Sequence, residues 1–77
     1  MREIMIKAAE PKDKWTPDAV RSLRQRYGET QAEFAEHFRT SVEAVRIWEQ
    51  GKRSVSNMAS VILDQLERAL AEKAGAK

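Results

Sequence analysis

Residues 30–53 read TQAEFAEHFRTSVEAVRIWEQGKR, and the architecture turns on how this stretch divides. Thr30 with Glu33 three places on forms a capping box, in which two orphan amides at a helix start are satisfied reciprocally. Ala32, Phe34, Ala35 and Phe38 supply buried positions, and this helix ends near Phe38. Ser41 is a second capping residue and opens a further helix that stops before Gly51. Only Arg39, Thr40 and Ser41 lie between the two, the length of a tight corner between short helices.

The same punctuation extends outward. On the N-terminal side Thr16 can cap a helix, Pro17 suits its first position and Asp18 favours its positive end. Trp15 and Val20 have the spacing of a hydrophobic staple. Val20, Leu23 and Tyr27 form one apolar stripe, and Gly28 ends the helix in a left-handed conformation. On the C-terminal side Lys52 to Val55 form a basic loop. Ser56 then caps a last helix that runs to about Lys73, roughly 25 Å long at 1.5 Å per residue. Met58, Val61, Ile62, Leu66, Ala69 and Leu70 cover a broad face of it. The expected fold is all-α, a compact bundle of four main helices over residues 15–73. Residues 1–14 form an N-terminal arm, flexible or dimer-contacting, in which Ile4 and Ile6 share one face. Residues 74–77 should fray.

Composition narrows the function classes. The chain has 77 residues, no cysteine and His37 as its lone histidine, which excludes disulfides and an ordinary structural zinc site. No nucleophile–base pair or cofactor motif is present, and Glu33 with Glu36 has ordinary helix-surface spacing, so neither an enzyme nor a cofactor is expected. The longest aliphatic run is Val61-Ile62-Leu63, with no signal peptide or membrane span, which points to a cytoplasmic protein. Lys plus Arg is 14 against 12 for Asp plus Glu, a net charge of +2, so the arrangement of charge matters more than its total. Arg39, Arg46, Lys52 and Arg53 cluster around residues 30–53, whereas Asp64, Glu67 and Glu72 lie on the last helix. The plain alternative is a scattered, solvated set of charges. His37 reads as a surface residue and Tyr27 as core rim.

The third helix carries the most information. At ~100° per residue, Val42, Glu43, Arg46, Ile47 and Gln50 share an arc of about 140°, with Ala44, Val45 and Trp48 opposite. Trp48 should therefore anchor the back of the helix while Glu43 and Ile47 face outward. The outer face suits the major groove of DNA: Arg donates two bonds to guanine, Glu accepts from the cytosine amino group, and Val or Ile meets a thymine methyl. A solvated helix face is the plain alternative.

Residues 30–53 resemble the helix-turn-helix of the Xre family, the Cro and repressor type. The matches are Gln31 at the start of the second helix, Ala35 within it, Val45 in the third, and the ending Trp48-Glu49-Gln50-Gly51-Lys52. The resemblance covers about residues 16–70. It implies that Gln31, beside Thr30, meets a DNA phosphate, that Ser41, Val42, Glu43 and Ile47 face bases or nearby phosphates, and that Arg46 contacts DNA. It also implies that Arg24 and Glu49 form a structural pair. With Gln50, Arg39, Lys52 and Arg53 these complete the candidate DNA-binding set. The chain departs from the pattern at Arg39, where the family has glycine, at Glu29, which replaces an apolar residue, and at Ser54-Val55, which lacks the usual proline.

The expected function is sequence-specific binding of double-stranded DNA, as a dimeric repressor of its own operon on a pseudo-palindromic operator. A chain of this length leaves no room for a ligand-sensing domain. One alternative is an antitoxin of a type II toxin–antitoxin pair, binding DNA and a toxin, since the run Thr16 to Gly51 also resembles HigA-like and MqsA-like antitoxins. The other is a protein-interaction module that uses the same fold without reading sequence. The expected homodimer contact is the last helix with its preceding loop, the alternatives being a strand formed by the Ile4/Ile6 segment or no dimer at all.

Overall fold

The structure, a computed structural model, describes residues 14–75. Over them the chain forms α1 (Pro17–Tyr27), α2 (Gln31–His37), α3 (Val42–Gln50) and α4 (Asn57–Gly75), with no strand among the described residues. The fold is all-α. The N-terminal arm, apart from Lys14, and the last two residues lie outside the described residues. α4 continues past Lys73 to Gly75, further than the sequence suggested.

Each helix starts on a hydroxyl cap. Thr16 accepts from the Ala19 amide at 3.2 Å, Ser41 from Ala44 at 3.3 Å and Ser56 from Ala59 at 3.1 Å. Thr30 completes its capping box: its hydroxyl accepts from the Glu33 amide at 3.1 Å while its own amide donates to Glu33 Oε1 at 2.9 Å. The first three helices also end alike. The amides of Glu29, Thr40 and Lys52 reach back to the carbonyls of Arg24, Ala35 and Ile47, leaving Gly28, Arg39 and Gly51 in left-handed conformation. Arg39 holds φ 53° with a side chain attached, a left-handed conformation less favourable for it than for glycine.

The core is a cluster of Trp15, Val20, Leu23, Phe34, Ala35, Val45 and Leu63, with Tyr27, Phe38, Trp48, Leu66 and Leu70 packed around it. Phe38 makes edge contacts with Phe34 at 5.3 Å and with Trp48 at 5.2 Å between centroids, which locks the corner between α2 and α3. Trp48 faces inward as expected, but it is half-buried rather than enclosed.

One expectation about buried positions needs correction. Ala32 is exposed, because the buried side of α2 runs through Phe34 and Ala35. Of the broad apolar face of α4, Leu66 and Leu70 pack against the core beside the buried Ala59 and Leu63, while Met58 is 72% and Val61 51% exposed and Ala69 is also outside. Two tethers set that rotation. The Trp15 indole donates to Asp64 Oδ1 at 2.9 Å, and the Tyr27 hydroxyl donates to the Leu66 carbonyl at 2.7 Å. Lys14 adds exposed ion pairs to Asp64 at 3.1 Å and Glu67 at 3.3 Å. The Asp64 carboxyl is held below its ordinary value, first by the Trp15 hydrogen bond and then, against some desolvation, by Lys14 and Arg68. No helix among the described residues is long and apolar enough to cross a membrane.

Candidate nucleic-acid interface

α3 packs against α2 and α1, and α4 packs mainly against α1, so no helix among the described residues covers the remaining side of α3. Its position is fixed from behind by Val45, which is fully buried, and by Glu49, whose side chain is only 4% exposed. A buried carboxylate needs partners, and Glu49 has several. Arg24 grips it with both prongs, Nε to Oε2 at 2.7 Å and Nη2 to Oε1 at 3.0 Å. Gln31 Nε2 donates to Oε1 at 3.1 Å. Arg21 Nη2 donates to the Glu49 carbonyl at 2.8 Å, supplying a cation at the negative end of α3. Arg24 also donates to the Glu29 carbonyl at 3.0 Å, so one guanidinium ties the α1–α2 loop to α3.

Burial is the largest influence on Glu49 and opposes its charge. The hydrogen bonds from Arg24 and Gln31, with the charges of Arg24 and Arg21, outweigh it and hold the carboxyl below its ordinary value. The Glu49 hydrogen bond raises the affinity of Arg24 for its proton, so the pair stays ionised.

The outward arc of α3 matches the helical spacing. Glu43 and Gln50 are exposed, and Val42, Arg46 and Ile47 are half-buried. Arg46 Nη1 donates to Glu43 Oε1 at 2.6 Å, a pair one helical turn apart. Arg39 stands exposed before α3, and Lys52 and Arg53 stand exposed after it. None of these three has a carboxylate within ion-pair distance among the described residues. The basic side chains thus bracket α3 at both ends.

Other members of the expected set are partly engaged. Gln31 is half-buried and spends one N–H on Glu49, retaining a second N–H and its carbonyl oxygen. Thr30 and Ser41 are exposed, but their hydroxyl oxygens already accept cap bonds, so each retains its own O–H as a donor. His37 is exposed and lies against the Glu29 carboxylate at 2.9 and 3.1 Å, which gives the unexpected Glu29 a partner.

Sequence reasoning found the Arg24–Glu49 pair but missed Arg21 and the Gln31 contact with Glu49. A signal for Arg21 was present, since Arg21 and Arg24 are three apart and share a helix face. Comparisons with models of known families, with curated proteins and with solved structures return no match.

Proposed function

We propose that this chain is a sequence-specific binder of double-stranded DNA, with α2 and α3 acting as a helix-turn-helix of the Xre type. One observation carries the reading: α3 is locked from behind by the Glu49 network while its outward arc of Val42, Glu43, Arg46, Ile47 and Gln50 stays uncovered, bracketed by Arg39, Lys52 and Arg53. A helix held rigidly with mixed polar and aliphatic groups outward suits base readout in the major groove. Cations at its ends that have no carboxylate partner among the described residues suit the phosphates alongside.

The biological role follows as a cytoplasmic transcriptional regulator that represses its own operon by occupying it. A homodimer on a pseudo-palindromic site fits the limited reach of one such unit. The exposed Met58 and Val61 on α4 supply apolar surface for that contact. Selecting bound duplexes from a random pool tests the reading. The expected winners share a two-fold sequence with half-site centres about 34 Å apart, or a multiple. A pool that stays random through repeated rounds would remove the sequence-reading role. Sedimentation with and without the winning duplex checks the dimer, and one monomer per site would reject the two-fold arrangement.

A further inference from the structure

The cations around α3 are not equivalent. Arg39, Lys52 and Arg53 have no carboxylate partner among the described residues, whereas Arg46 is held by Glu43 on the same helix at 2.6 Å. The pair is solvent-exposed, at 43% and 61% for the two side chains. It contributes nothing to the core cluster, and exposed pairs of this kind are weak. Glu43 is moreover an anion on the face that would approach a polyanion.

We propose that Glu43 is a specificity-determining residue that masks Arg46 from phosphate and releases it to a base edge; this deepens the DNA-binding reading and rests on it. A phosphate competes for Arg46 by charge and by hydrogen bonds, but bringing it close also forces it toward the Glu43 carboxylate. A guanine edge offers two acceptors to Arg46 without a formal negative charge. A neighbouring cytosine amino group then gives the released Glu43 carboxylate a donor. Exchange is therefore favoured at a site presenting both groups and disfavoured along arbitrary backbone. Arg39, Lys52 and Arg53 remain available for general attraction, so encounter with DNA does not depend on Arg46. The substrate preference this implies is a guanine and a cytosine edge within reach of adjacent turns of α3.

The test uses the full chain and fluorescence anisotropy on two duplexes, one of random sequence and one selected by the wild-type protein. E43Q should bind random duplex about two- to fivefold more tightly at low salt, the range an exposed ion pair can supply. The ratio of selected to random affinity should fall. The gain should disappear when E43Q is made in an R46A background, and E72Q, an equal charge change on α4, should not reproduce it. Circular dichroism establishes that each variant folds. Unchanged random-duplex affinity in E43Q, an equal gain in the R46A background, or an equal gain in E72Q would each overturn the masking role. Wild-type protein that binds neither duplex would instead overturn the DNA-binding reading, and the masking role with it.

Discussion

Glu49 combines near-complete burial with a full charge, so removing Arg24 strands a carboxylate that water scarcely reaches, whereas removing Glu49 leaves an Arg24 guanidinium that is 16% exposed. Arg24→Ala should destabilise the domain by about 3–5 kcal/mol, and Glu49→Leu by less because the guanidinium it leaves is partly hydrated. A domain of this size holds only about 3–9 kcal/mol in total, so urea unfolding followed by circular dichroism should show a large shift or no folded baseline. The pH dependence has a definite sign. Glu49 and Asp64 both have folded pKa values below their ordinary ones, so the native state binds fewer protons than the unfolded chain. Their contribution is fully present above about pH 4–5 and is lost as pH falls through the folded values. Acid unfolding monitored at constant ionic strength should begin in that range. Arg46 differs because it lies on the surface. Arg46→Ala should leave folding intact, cost about 1–3 kcal/mol on the preferred duplex and relax preference at one base pair. Selection repeated with the variant checks it.

At the scale of elements, helix starts were legible because a cap is a local contract between a hydroxyl and an amide three residues on. Thr16, Thr30, Ser41 and Ser56 all form it where the sequence suggested. The rotation of α4 was not legible in the same way. Its apolar residues occupy most of its circumference, so periodicity could not choose Leu63 over Met58 and Val61. The choice comes from distant tethers, Trp15 to Asp64 and Tyr27 to Leu66, which no local window contains. The outward arc of α3 was legible because its small and aromatic residues fall opposite its polar ones, whereas Gln31 meeting Glu49 depends on how α2 and α3 dock. The corner between those helices supplies its own prediction. Arg39 occupies a left-handed conformation that costs a side chain roughly 1–2 kcal/mol. Arg39→Gly relieves that strain but frees the unfolded chain, so it should stabilise by about 0.5–1 kcal/mol, measured as a shift in urea midpoint with unchanged slope. The same variant should weaken binding to DNA if Arg39 meets phosphate.

The whole molecule joins a rigid, buried-carboxylate frame to an uncovered helix with cations at both ends. On the proposed DNA-binding reading, that arrangement would separate affinity from sequence choice. Lys52→Ala and Arg53→Ala should weaken binding to every duplex by similar factors, and each should reduce the slope of log K against log salt by about one. Titrations at several salt concentrations check this. Chemical-shift mapping of the isotopically labelled chain, titrated with a selected duplex, reads whether the outward arc of α3 is the surface that DNA touches. If DNA lies along this arc, the largest changes fall on Val42, Glu43, Arg46, Ile47 and Gln50, with smaller ones at Gln31, Lys52 and Arg53. Changes concentrated elsewhere, or none across α3 at saturating duplex, would contradict it.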